Sequence, residues 1–262
     1  MELQTARQFV LERLQRGYFA FTRDEIDRTV GGGDATLMAL LRLRRQGWIF
    51  SPAKGYYIII DPQHQGSGYL PVEWFIDDWM HFAGCEYYIG LLSAAMLHGA
   101  AHHKPQVTQL VRNRRGENLH KDAYRIDFFY KQQIVAGMWE QRKSPAGYYR
   151  VSTPEMTAYD LLRYPRACPS IDLAATIMAE LGERIEADRL SQLVDLDTET
   201  SVLQRLGYLL DTTGWEKMTD SLALRLQQRR CVWIPLRTDA SRSGERNKRW
   251  HIIVNAEVEV EA

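Results

Sequence analysis

No run of about 18 consecutive apolar residues, the length a membrane-spanning helix needs, occurs in the 262 residues. The first sixteen, MELQTARQFVLERLQR, carry charge throughout where a secretory leader needs an apolar core. Both absences predict a soluble, cytoplasmic protein with no membrane partner. Cysteine is scarce: Cys85, Cys168 and Cys231 are too far apart in sequence for a CxxC knuckle or a small disulfide framework, which predicts reduced structural thiols. His102 and His103 are adjacent, but neighbouring residues rarely ligate one ion, and no carboxylate or thiol stands at a helical spacing from them. No metal and no other cofactor is expected. GxGxxG, the Walker loop, the GxSxG elbow and HExxH are missing too, which removes the common dinucleotide, phosphate-loop, serine-hydrolase and zinc-protease chemistries.

A net charge is also lacking, since 33 basic residues balance 33 acidic ones. The balance hides segregation. Residues 1–60 carry a net +3, 61–100 −5, 101–150 +6, 151–220 −7 and 221–262 +3. Two basic blocks separated by acidic ones are compatible with phosphate binding at one face, or with ordinary variation of a solvated surface.

What is present begins with three short helices. Thr5 to Arg16 places Phe9, Val10, Leu11 and Leu14 in a helical pattern that stops at Gly17. Thr22 precedes Glu25 by three residues, the spacing of a capping box, so TRDEIDRTV reads as a second helix broken by Gly31-Gly32-Gly33. Asp34 is the expected N-cap of a third, with Leu37, Leu40, Leu41 and Leu43 gathered toward the core. Ala35, Met38, Ala39, Arg42 and Gln46 then face the opposite way, with Arg45 at the edge and the stem of Arg44 over the leucines. Small residues allow a helix to approach base edges, and an arginine two or three turns in can reach guanine or a phosphate. WIFSPAKGYYIII follows as two strand-like runs joined at Ser51-Pro52-Ala53-Lys54-Gly55, a hairpin with Lys54 near its tip. A basic hairpin after a helix-turn-helix predicts a winged-helix DNA-binding domain over 1–62. The alternative is a winged helix that mediates protein contacts only.

Asp61 to Gly68 reads as a linker, and an α+β domain is expected over 69–262. In it, CEYYIGLLSAAMLHGAA predicts a buried helix. QVTQLVRNRR, YRIDFFYKQQ and the segment around GYYRVST predict an antiparallel sheet carrying the basic block. VSTPEMTAYDLL has the signals of a helix start with Pro154 in the first turn. Residues 171–230 read as several helices with acidic surfaces, and CVWIPLRTD with RWHIIVNAEVEV as a terminal hairpin. Arg112, Arg114, Arg115, Lys121, Arg125 and Lys131 form a candidate second basic surface. It meets either nucleic acid, or the acidic helices, or an acidic partner.

The combination of the PAKGYY hairpin, YYIGLLSAAMLHGA and VSTPEMTAYDLLRYP resembles the AbiEi antitoxin family, regulators and antitoxins of bacterial type IV toxin-antitoxin systems. The resemblance implies a repressor of its own operon that binds inverted repeats in double-stranded DNA and counteracts a co-encoded nucleotidyltransferase toxin. It also implies DNA contacts at Thr36, Met38, Arg42 and Arg45 of the third helix and at Lys54. It supplies no antitoxin residue and no oligomeric state. Two other readings compete: a one-component repressor whose second domain binds a small ligand, and a nuclease built on Asp127, Glu140 and Lys143. The nuclease spacing is poor, because Lys143 is three residues beyond Glu140 and turns to the other face of a strand. No enzymatic activity is expected.

Overall fold

The computed structural model describes residues 5–100, 106–196 and 198–260, so His102 and His103 lie outside the described residues. It is an α+β structure of two compact units, neither contiguous in sequence. The first takes its residues from 1–87, 114–127 and 141–150, the second from 88–113, 128–140 and 151–262.

In the first unit α1 (Ala6–Gln15) starts at Thr5, whose hydroxyl accepts from the Gln8 N–H while the Gln8 side chain accepts from the Thr5 N–H. A short strand, β1 (Ala20–Thr22), leads into α2 (Arg23–Val30). The expected capping box forms: Thr22 Oγ1 accepts from the Glu25 N–H, and the Glu25 carboxylate accepts from the Thr22 N–H at 2.6 Å. Burial alone would raise the Glu25 carboxyl, but this N–H and the Arg13 guanidinium at 2.9 Å hold it below its ordinary range. Gly31, Gly32 and Gly33 have φ of +103°, +72° and +70°, so the triple glycine is what the turn into α3 (Gly33–Arg45) requires. Asp34 does not cap this helix; the N-cap is Gly32, with no side chain to bond, and Asp34 sits exposed in the first turn.

β2 (Ile49–Ala53) and β3 (Tyr56–Ile59) form an antiparallel hairpin closed at Lys54-Gly55, tighter than the loop expected from Ser51. The register shifts between Phe50 and Ala53, where Pro52 cannot donate to the ladder. β1 pairs with β3 and makes the sheet order β1-β3-β2. Phe9, Val10, Phe21, Ile26, Leu40, Leu43, Ile49 and Ile59 fill the space between helices and sheet. The leucine face of α3 needs correction. Thr36, Leu40 and Leu43 point inward, whereas Leu37 and Leu41 are 45% and 47% exposed. Positions 36, 40 and 43 make one stripe by steps of four and three, which leaves 37 and 41 about 100° off it. Leu40→Ala should therefore cost about 2–5 kcal/mol of stability and Leu41→Ala under about 0.5 kcal/mol. Equal shifts in denaturant melts of the full chain would contradict this packing.

The same unit continues with α4 (Ile76–Phe82). Six strands then follow in chain order, β4 (Tyr87–Ile89), β5 (Thr108–Arg112), β6 (Leu119–Lys121), β7 (Tyr124–Tyr130), β8 (Trp139–Ser144) and β9 (Gly147–Ser152), in a sheet ordered β6-β7-β5-β4-β9-β8. The sheet is mixed rather than antiparallel, since Ile89 pairs in parallel with Val151. Within the first unit the hairpin is covered from later in the chain: Phe50 stacks on Tyr124 at 4.4 Å, Tyr56 on Phe82 at 5.0 Å, and the Tyr124 hydroxyl accepts from the Leu70 N–H. Residues 1–62 thus do not bury their own hairpin.

In the second unit the segment expected to be one helix is β4 followed by α5 (Leu91–Leu97). Gly90 separates them, and a Cβ there would stand 3.1 Å from Val111. α6 (Pro154–Arg163) starts as predicted, with Thr153 Oγ1 accepting from the Met156 N–H and Pro154 in the first turn. α7 (Ile171–Leu181), α8 (Ala187–Gln192), α9 (Thr200–Thr212) and α10 (Asp220–Leu226) supply the helical stretch. The C-terminal hairpin is corrected to a three-stranded sheet of β10 (Ile234–Pro235), β11 (Glu245–Asn247) and β12 (Ile252–Val254). The basic segment itself provides β11, antiparallel to β12, while β10 joins in parallel. Trp250 anchors this sheet, donating from its indole N–H to Asp211 at 2.7 Å and lying where a Cβ on Gly207 would be 2.2 Å from its ring. No helix among the described residues is long and apolar enough to cross a membrane.

Candidate nucleic-acid interface

The outer face of α3 is where the N-terminal module presents its chemistry. Ala35, Met38, Arg42 and Arg45 are exposed on it, as expected, together with Leu37 and Leu41, which the sequence reading had placed inside. Thr36 is fully buried, so its side chain is withdrawn from any ligand of this face. Ala39 is half-buried against the core. Arg44 is exposed. The face is therefore a row of leucine and methionine flanked by the Arg42 and Arg45 guanidinium groups, with Arg44 exposed at a different angle.

A residue absent from the sequence expectations fixes the angle between the helices. Arg23 donates to Asp27 at 2.7 Å and to the Gly33 carbonyl at 3.0 Å, tying α2 to the start of α3. Its hydrogen bond to Asp27 raises the guanidinium pKa above the ordinary value, so this clamp is never discharged. The only signal in the sequence is the i,i+4 spacing of Arg23 and Asp27, which cannot reveal the third partner. At the hairpin tip Lys54 is exposed, with Gly55 at φ +81°.

The second basic surface loses two of its six members. Arg112 is only 9% exposed, its guanidinium 3.7 Å from the centre of the Phe128 ring, and Lys131 is 6% exposed and paired with Asp160 at 3.3 Å. Both belong to the second unit. Strand alternation explains the error: it sorts residues by parity but does not say which face of the sheet is covered. Arg114, Arg115 and Arg125 are exposed, Lys121 is half-buried, and all four belong to the same unit as the N-terminal module. The Lys121 ammonium donates to the Ser51 carbonyl at 3.2 Å, which puts one of these charges against the β2–β3 hairpin. Arg114 donates to the Ala83 carbonyl, and Arg125 to the carbonyls of Asp122 and Tyr124. Carbonyl partners orient these groups without neutralising them.

The nuclease arrangement does not assemble. Asp127 is on β7, bonded to His120 at 2.7 Å, and Glu140 is on β8, with three strands between β7 and β8 in the sheet order. Among the described residues no three His, Cys, Asp or Glu side chains group closely enough to hold a metal ion.

The two sequence motifs of the middle region meet in the second unit. Tyr88 donates its hydroxyl proton to Asp160 at 2.7 Å, and His98 Nε2 lies 2.8 Å from the Ser152 carbonyl oxygen. Residues 88–212, which contain this core, match the family model described as AbiEi antitoxin C-terminal domain. The crystal structure of RV2827C protein from Mycobacterium tuberculosis is similar in fold, with a TM-score of 0.68 over 96% of this chain and 92% of that one at 18% identity. No curated protein sequence matches the chain.

Proposed function

From an AbiEi antitoxin C-terminal domain at residues 88–212, preceded by a basic module in α1-β1-α2-α3-β2-β3 order, we propose that the chain is a DNA-binding transcriptional regulator. In this reading it represses its own operon and is the antitoxin of a type IV system, counteracting a co-encoded nucleotidyltransferase toxin. The module order, with a three-stranded sheet and a lysine at the hairpin tip, supports a winged helix-turn-helix over about residues 1–62. α3 is the recognition helix and β2–β3 the wing. Residues 69–262 carry the antitoxin function, and the role is regulatory rather than catalytic.

The observation that carries the reading is the outer face of α3. Arg42 and Arg45 offer the forked donors that read guanine or grip phosphate, while Leu37, Met38 and Leu41 offer the apolar surface that thymine methyl groups fill. Lys54 at the wing tip adds a phosphate contact with no sequence information. Lys54→Ala should accordingly weaken operator and scrambled DNA alike and flatten the slope of log affinity against log salt by about 0.9. Gel-shift titration of the full chain on its own upstream region tests the DNA half of the proposal, and loss confined to the operator would contradict the role of Lys54. Co-expression with the nucleotidyltransferase of the same operon tests the antitoxin half: growth that is not restored would remove it.

A further inference from the structure

The C-terminal sheet builds a second basic site outside both the N-terminal module and residues 88–212. Between the end of α10 and the turn from β11 to β12 lies a cavity of about 290 Å³, lined by Gln227, Arg229, Lys248, Arg249 and His251 among others. Among the described residues no carboxylate lines it. Arg229 donates to the Thr198 and Val194 carbonyls, so its position is fixed while no acid among the described residues meets its charge. Arg249 is held by Asp211 at 3.2 Å and Asp220 at 2.7 Å, and Lys248 is exposed. The turn that carries Lys248, Arg249 and His251 is anchored. Trp250 plugs it into the core over Gly207, the Trp250 N–H donates to Asn247, and His251 takes φ +52°, a conformation histidine tolerates better than most residues. His251 also joins the cavity to an aromatic platform. Its ring centre is 5.1 Å from that of Trp233, which is 37% exposed and carries the Arg246 guanidinium 5.2 Å above it.

We propose that this corner binds a nucleotide unit, its base stacked on the Trp233–His251 platform and its phosphate in the cavity beside Arg229 and Lys248. An exposed tryptophan accepts any base because every base has a π-face, and stacking joined to cationic groups is the general chemistry of sequence-tolerant nucleotide binding. Charge-assisted bonds from guanidinium and ammonium supply the phosphate contact. An acidic protein segment would use the cations but leave Trp233 idle.

The test uses the full chain labelled with nitrogen-15, in which the seven tryptophans give resolvable indole N–H signals and Trp233→Phe assigns the one in question. The probes are ATP, a single-stranded oligothymidylate, inorganic phosphate and polyglutamate. Movement of the Trp233 signal by ATP indicates a free-nucleotide site, and movement by the oligonucleotide alone a site for a strand; either supports the proposal. Trp233→Ala should then weaken binding on the order of tenfold, with Trp233→Phe retaining most of it. Lys248→Glu, a change at an exposed side chain, should weaken binding and reduce its salt dependence. The proposal fails if neither nucleotide probe moves the Trp233 signal, if Trp233→Ala binds as tightly as the parent, or if polyglutamate binds while both nucleotide probes do not.

Discussion

Lys131→Met should destabilise the protein by about 3–5 kcal/mol near neutral pH, because it leaves the Asp160 carboxylate buried without its cation. Methionine keeps an unbranched stem of similar length but loses the ammonium, which lies 4.9 Å over the Tyr159 ring and donates to Met156 Sδ, so the loss is chiefly one of charge. Burial holds the folded Asp160 carboxyl above its ordinary range, with the Lys131 ammonium and the Tyr88 hydroxyl opposing that shift only in part. For a carboxyl raised on folding, the favourable contribution is complete below the ordinary carboxylate pKa and is lost as pH rises through the raised value. Removing Lys131 enlarges the loss. The deficit of Lys131→Met relative to the parent should therefore be greatest at neutral pH and shrink as the solution is acidified into the titration range of Asp160. Lys131→Met with Asp160→Asn should recover most of the stability, because the uncompensated charge is gone. Denaturant melts of the three proteins across pH check this. A deficit that is flat with pH, or a double variant no more stable than the single, would show that Lys131 acts by packing.

The same residue shows where sequence reading stops. Lys131 lies in a block of net charge +6, and composition alone places such a residue at the surface. Its partner Asp160 is 29 residues away, and no local pattern links them. Most signals confined to a few residues transferred, the Asp34 cap apart: the Thr22–Glu25 capping box, the Thr153-Pro154 helix start, and the Lys54-Gly55 tip all stand where spacing and turn chemistry put them. Signals that depend on what covers a surface did not. Leu41 and Leu43 are equally apolar, yet the core takes Leu43 with Thr36 and Leu40, and leaves Leu41 to solvent. β1 is three residues long and forms only because β3 offers a free edge. The parallel pairing of Ile89 with Val151 joins strands more than sixty residues apart. Short capping and turn motifs carry their own energy, whereas register, sheet order and the choice between two leucines are decided by residues far away in the chain. The outer face of α3 was legible in Met38, Arg42 and Arg45, and the wing tip in Lys54, but the exposure of Leu37 and Leu41 was not.

Replacing Arg42 and Arg45 together by alanine should cost about 2–6 kcal/mol of operator binding, a loss of at least about thirtyfold, if each contributes as a base-reading arginine does. Both side chains are exposed on the face that also shows Met38 and Leu41, and neither fills the core, so folding should be unaffected. Arg44→Ala is the control, since its side chain is exposed at a different angle of the helix. Affinity for scrambled DNA should fall far less than affinity for the operator, because phosphate contacts elsewhere persist. Those contacts have their own signature. Arg114, Arg115 and Arg125 are in one compact unit with the module, and Lys121 of that group touches the hairpin at Ser51, so on the proposed DNA-binding reading these charges add phosphate contacts to those of the module. Each phosphate neutralised adds about −0.9 to the slope of log affinity against log salt on B-DNA. Alanine at Arg114, Arg115 and Arg125 should flatten the slope by up to about 2.7 without altering the ratio of operator to scrambled binding. The double arginine variant of α3 should do the reverse, collapsing the ratio while changing the slope by no more than about two contacts. If the triple variant leaves the slope unchanged, those three charges do not meet DNA, and an acidic protein surface becomes their partner.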